Sequence, residues 1–239
     1  MVLMADLFLD IETVPDFTPE EYFRVKKAVE GGQINKSVER DLFWKYRTGG
    51  LNPFEGKLIL LTYKINDGHI FRLKEWELGE RELLTKFYDL LKDLQYNAGE
   101  DRLRIIGHNI LRFDLFFLYE RMRYYFHDDT KWLHQRVINK PEVIDFLQMH
   151  LALNNFQTKG LRHDVLAYAY GFSQKITLGS EETFHYYEKN YDKIIDYSIR
   201  EFIYPELYKK IQTDGLVSQD ILLNSIKLYD ESIRTRNVS

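Results

Sequence analysis

Apolar and polar positions follow a strand pattern at the start of the chain and a helical pattern through most of the rest. Met4 to Asp10 is a short apolar run that ends in acids, as a buried strand reaching a surface does. Lys57 to Lys64 and Gly68 to Leu73 flank the turn-forming Asn66-Asp67-Gly68 and predict a hairpin. Leu83, Leu84, Phe87, Leu90, Leu91 and Leu94 recur at helical spacing, which predicts a helix over Glu80–Leu94. Arg102 to Ile106 reads as a buried strand, Asp114 to Arg123 as a helix and Glu142 to Ile144 as a fifth strand. Strand and helix alternate, so the class is α/β, a mixed sheet of about five strands with flanking helices. Further helices are expected over Phe146–Leu153, Leu161–Tyr170, Ser180–Tyr187, Lys193–Gln212 and Leu216–Ile233, making the C-terminal half mostly helical.

Thr18 to Asn52 reads as helical segments punctuated by Gly31-Gly32 and Gly49-Gly50, an insert (18–52) that either covers a cleft or packs on the sheet edge. Neither a repeat nor a linker is visible. Residues 1–239 are therefore expected to form one domain, with 213–239 as a C-terminal helical extension.

Composition narrows the chemistry. A chain of 239 residues buries a substantial core without staples. It has no cysteine, which excludes disulfides, thiolate zinc sites and cysteine nucleophiles, so any metal must sit on oxygen or imidazole. The apolar start reaches Asp10 too soon for a signal peptide, and no apolar run approaches the roughly 20 residues of a bilayer span. A soluble, cytoplasmic protein without a membrane partner is expected. With 33 basic and 37 acidic side chains, any nucleic-acid contact must be local rather than carried by overall charge.

Candidate chemistry begins at the first strand. Side chains alternate faces there, so Phe8, Asp10 and Glu12 share one face and Leu7, Leu9 and Ile11 the other. Two acids one pleat apart repel, and a hard cation such as Mg²⁺ or Mn²⁺ offsets that cost; an acidic loop is the plainer alternative. The second feature is Gly107-His108-Asn109-Ile110-Leu111-Arg112-Phe113-Asp114, where a buried strand ends in a polar loop and a helix opens on an acid. Asp114 suits a helix N-terminus electrostatically, and a strand end is also where ligands gather in α/β sheets.

Asp10-Ile11-Glu12-Thr13 followed by Asn109-x-x-x-Phe113-Asp114 resembles the first two motifs of the DEDD, or DnaQ-like, 3′–5′ exonucleases. The resemblance runs from about Ala5 to Ile211 and is nearest the proofreading exonuclease of family B DNA polymerases and the stand-alone predicted exonucleases related to it. It implies a ribonuclease-H-like fold. The tyrosine subclass of that family carries a last motif Tyr-x-x-x-Asp, absent here in intact form. The best register is Tyr197-Ser198-Ile199-Arg200-Glu201, with Pro205 four residues on, so that Glu201 replaces the fourth aspartate. Asp196 competes for that place, but it has Tyr191 five residues before it and Asp192 four before it, matching neither the tyrosine nor the histidine subclass. It lies about 140° around a helix from Glu201, so the two cannot face one metal together.

The resemblance implies a two-metal hydrolysis of phosphodiester bonds with Mg²⁺ or Mn²⁺. Asp10, Glu12 and Glu201 would hold the ion that generates hydroxide, Asp10 would bridge to a second ion supported by Asp114, and Tyr197 would orient the attacking water. Thr13 would lie near the terminal nucleotide, and Asn109 and Phe113 would shape its pocket, Phe113 reading equally well as core. The implied substrate is the 3′ end of single-stranded DNA, with RNA as the alternative. Tyr124-Tyr125-Phe126 and Tyr186-Tyr187 are candidate stacking surfaces, with Arg121, Arg123 and Lys131 for phosphates. A catalytically inactive exonuclease fold that binds nucleic acid or a protein is the rival reading, and the glutamate at 201 is its main support. Glutamate keeps the charge but adds a methylene, which moves the ion or alters which ion is preferred. His163-Asp164 reads as chance or a helix start and Asp145 as an N-cap. Gly31 to Ser37 lacks the ending of a phosphate loop.

Overall fold

The computed structural model describes residues 4–32, 38–98, 102–139, 141–172 and 182–236. Its centre is a five-stranded sheet in the order β3-β2-β1-β4-β5. The strands are β1 (Ala5–Pro15), β2 (Gly56–Ile65), β3 (Ile70–Lys74), β4 (Leu103–Gly107) and β5 (Glu142–Asp145). β1 runs antiparallel to β2 and parallel to β4, and β5 continues in parallel, so an antiparallel meander is fused to parallel strands. This is the ribonuclease-H-like arrangement of a mixed sheet with flanking helices. Asn66, with φ of 48°, takes the left-handed position of the β2–β3 turn that asparagine favours.

The helices are α1 (Pro19–Glu30), α2 (Arg40–Thr48), α3 (Glu80–Ala98), α4 (Asp114–Tyr125), α5 (Phe146–His150), α6 (His163–Ala169), α7 (Glu182–Tyr187), α8 (Tyr191–Glu201), α9 (Tyr204–Asp214) and α10 (Gln219–Arg236). Short single turns lie between them. The first residues of the helix expected over Ser180–Tyr187 and residues 33–37 of the Gly31–Ser37 segment fall outside the described residues.

Two expectations need correction. β1 does not end at its acids but continues past Glu12 beside β2 to Pro15, with Leu9 and Ile11 in the core. The single helix expected over Lys193–Gln212 is two helices, α8 and α9, separated at Phe202 and Ile203. Pro205 explains the break: it has no amide proton to give Glu201, and its ring clashes with the carbonyl four residues before it.

The alternation of β1 divides the interior. Leu7, Leu9 and Ile11 pack with Leu83, Phe87 and Phe117 of α3 and α4 on one face. On the other, Phe8 joins Phe146, Leu166, Tyr204 and Tyr208 under α5, α6 and α9, whereas Val14 and Leu60 meet Ile194 of α8. Asp10 and Glu12 fall between these two apolar patches. The insert carries α1 and α2, whose Tyr22, Val25 and Leu42 pack with Phe17. Thr18 caps α1 with Glu21 in a reciprocal capping box, and Thr13 donates to the Gly50 carbonyl, pinning the insert to the end of β1.

Candidate active site

Pairing geometry sets the floor of the site. β1 pairs with β4 only over Ala5–Phe8, which leaves the amides of later β1 residues without a strand on that side. Ile11 N–H instead donates to Asp114 Oδ1 at 3.1 Å, drawing the first residue of α4 into line with Asp10 and Glu12. The loop ahead of α4 is held from below. Asp145 accepts the amides of Asn109 at 2.8 Å and Leu111 at 3.1 Å while also capping α5 through Leu147 at 2.9 Å, which realises the N-cap expected of it.

The wall comes from α8. Ile194 is buried, and Ser198 hydrogen-bonds Thr62, the β2 partner of Asp10, at 2.9 Å. Tyr197 and Glu201 follow on that docked face, and Asp196 points outward and is exposed. Glu201, not Asp196, therefore stands within electrostatic reach of Asp10 and Glu12. The 3.6-residue pitch that separates the two acids on the helix is the reason.

Charge in this cleft is one-sided. Burial pushes the Asp10 carboxyl up to about 6; the hydrogen bond from Tyr204 Oη, at 2.8 Å, and the nearby His163 hold it down, and Glu201 adds to the rise. Glu12 is raised well above the ordinary carboxylate range by burial and by Asp10, Glu182, Glu201 and Asp114 together. Asp114, 5% exposed, is raised by burial and Asp10 against the opposing pull of its backbone donors. Burial and the same carboxylates push the Tyr197 hydroxyl upward, so it is a donor and not a base at neutral pH. None of Asp10, Glu12, Asp114 or Glu201 makes an ion pair with lysine or arginine among the described residues.

Three residues that sequence reasoning missed join the constellation. Tyr204 opens α9 just after the helix break and reaches Asp10. His163 does start a helix, as expected, but chance is not an adequate account of it: Nδ1 lies 2.9 Å from Glu201 Oε2. The helix-breaking Pro205 was the available signal for Tyr204. Glu182, the first residue of α7, is a third addition and acts on Glu12 and Tyr197.

No family model matches the chain, and no curated protein matches it. Among solved structures it is similar to Escherichia coli exonuclease I in complex with a dA16 oligonucleotide, with a TM-score of 0.43 and 13% sequence identity. The match covers 88% of this chain and 43% of that one, so the chain spans less than half the length of that enzyme.

The remaining candidates are placed as follows. Asn109 has φ of 57°, and its Oδ1 is buried without a hydrogen-bond partner beside the site loop. Phe113 packs on the core cluster 5.6 Å from Phe117, the core side of its two readings. Tyr124 is 66% exposed, whereas Tyr125 and Phe126 pack against the core. Tyr186 and Tyr187 are used structurally, the first on Glu75 and Lys57 and the second on the Pro15 carbonyl. Arg121 is likewise taken up by Glu80 and the Pro53 carbonyl.

The donor set is oxygen-only apart from His163, and clustered carboxylates without a lysine or arginine partner suit a hard divalent cation. The arrangement is not a finished cage: among the described residues no three His, Asp or Glu side chains stand together so as to hold a metal ion. Asp10 and Glu201 are engaged by Tyr204 and His163 instead. No described helix is long and apolar enough to cross a membrane.

Proposed function

We propose that the chain is a metal-dependent nuclease that hydrolyses phosphodiester bonds from the 3′ end of single-stranded nucleic acid, DNA in the first place. The observation that carries this reading is that Asp10, Glu12, Asp114 and Glu201, from three separate elements, lie within electrostatic reach of one another, with no lysine or arginine paired to them among the described residues. Such a cluster costs stability, and that cost has a use if the carboxylates receive cations.

Asp10, Glu12, Asp114 and Glu201 would hold Mg²⁺ or Mn²⁺ in this cleft. Bound there, the ions acidify a water molecule and neutralise charge developing on the phosphate. Tyr204 holds the Asp10 carboxylate and His163 that of Glu201, so neither swings freely in the metal-free protein. Tyr197 keeps its proton and orients water by hydrogen bond, a positioning task that needs no low pKa. Thr13 is tied to Gly50, which fixes the backbone where the end of β1 would meet a terminal nucleotide.

The unfinished arrangement of donors favours a second reading, an inactive fold that binds nucleic acid or a protein partner. One assay separates them. Single-stranded DNA and RNA labelled at the 5′ end are incubated with the protein in Mg²⁺, Mn²⁺ or chelator. A metal-dependent ladder is expected, lost by a factor of about 10² or more in Asp10→Ala and Glu201→Gln but not in Asp196→Ala. Binding without cleavage in either metal would establish the inactive reading, and loss in Asp196→Ala alone would move the fourth acid.

A further inference from the structure

Glu201 is the point at which this chain departs from the family it resembles, and the structure couples that departure to a second residue. Glu201 is the last residue of α8, with its carboxylate at the end of a side chain one methylene longer than aspartate. Longer reach alone would let the carboxylate wander between the floor of the cleft and solvent. Instead Oε2 meets Nδ1 of His163, a residue 38 positions earlier in the chain and on another helix, at 2.9 Å.

The imidazole cannot follow a moving carboxylate. It is 9% exposed and is held edge-on between two rings, Tyr204 at 5.0 Å and 87° and His108 at 5.6 Å and 61°. Among the described residues its other nitrogen, Nε2, is buried without a hydrogen-bond partner, and Nδ1 donates to the Glu201 carboxylate. Tyr204, which packs on His163, is also the residue that holds Asp10. One set of packed rings thus holds two carboxylates, those of Asp10 and Glu201.

We propose that His163 is a positioning residue that fixes the reach of the Glu201 carboxylate toward Asp10 and Glu12, so that histidine and glutamate work as a matched pair. The pair rests on the nuclease reading above. An aspartate at 201 would retract the carboxylate from Nδ1 and leave both ring nitrogens buried without partners. Glutamate at this position is then the fitting residue in this chain and not a defective aspartate.

The test is the Mn²⁺ affinity of the full chain, measured by titration calorimetry without substrate. His163→Ala is expected to weaken affinity by about 10-fold, the lower end of what loss of a ligand's supporting partner costs. Glu201→Asp is expected to lose a similar factor, and the double variant no more than the worse single one. Two further variants separate positioning from packing. The amide of His163→Asn sits where Nδ1 was and restores most of the affinity. That of His163→Gln, closer in size to histidine, reaches the Nε2 position and does not. Thermal melts in chelator show that each variant folds. Unchanged affinity in His163→Ala, losses that multiply in the double variant, or equal rescue by asparagine and glutamine would overturn the pairing. If the wild-type chain binds no Mn²⁺, the nuclease reading falls and the pair with it; if it binds and the His163 variants match it, the pair alone falls.

Discussion

Histidines in this interior are held in defined tautomers, and His150 shows what that means for stability. It is fully buried on α5, with Nδ1 donating to the Phe146 carbonyl at 2.6 Å and Nε2 accepting from Tyr170 Oη at 2.8 Å. Burial lowers its pKa below the usual 6.5, the bond to Phe146 opposing in part. The sign follows directly: above pH 6.5 the ring is neutral folded and unfolded, and below it only the unfolded chain takes up the proton. The stability advantage of the wild type over His150→Gln should therefore shrink as pH falls through that value, by at most about 1.4 kcal/mol in total between pH 7.5 and 5.5. Urea unfolding of both proteins at pH 7.5 and 5.5 checks it, and a constant difference would show that the ring charges in the fold. At this scale the sequence is legible where geometry is local: strand alternation sets Asp10 and Glu12 apart from the core side of β1, and helical pitch sets Glu201, not Asp196, within electrostatic reach of them. His163 and Tyr204 were not legible, since each matters through a partner 38 or 194 residues away.

The elements were legible through the same periodicities, and their failures have specific causes. All five strands lie where alternation and turn signals put them. β1 was cut short because acids in a strand look like its end when the cleft they face is not yet known. The α8–α9 break was overlooked because apolar spacing continues across it, although Pro205 marks it. Close approach between strands is less visible still. A Cβ on Gly107 would lie 2.8 Å from the Leu9 carbonyl oxygen and 3.0 Å from Ile110 Cδ1, so the residue lets the end of β4 sit against β1. Gly107→Ala should cost about 1–3 kcal/mol, the usual range for overpacking a filled site. Denaturant unfolding would read it, and an unchanged midpoint would mean that the strand ends part at no cost.

For the molecule as a whole, the cleft is a place where folding works against itself. Glu12 is surrounded by Asp10, Glu182, Glu201 and Asp114, and burial adds to their repulsion. Removing its charge should stabilise the metal-free protein while impairing whatever the cluster binds, the usual exchange at functional sites. Glu12→Gln is expected to gain about 0.5–2 kcal/mol in chelator, read as a higher melting temperature that added Mn²⁺ no longer raises. A lower melting temperature would mean that the carboxylate is paired rather than crowded. The insert illustrates what sequence left open: whether it covers a cleft or packs on an edge depends on Thr13 reaching Gly50 and on Phe184 and Tyr187 of α7 packing against it, contacts that no local pattern encodes.

The span between Asp10 and Tyr204, 194 residues, also carries a consequence for the order of events during synthesis. A chain emerging from the ribosome can complete all five strands once Asp145 is out, and Asp114 can then already be tied to β1 beside Asp10 and Glu12. Tyr204, which holds Asp10, and the fourth acid with its partner His163 arrive later. For that interval the nascent chain carries these acids beside an otherwise finished sheet, and only helices made later, α6, α8 and α9, bring the residues that hold Asp10 and Glu201.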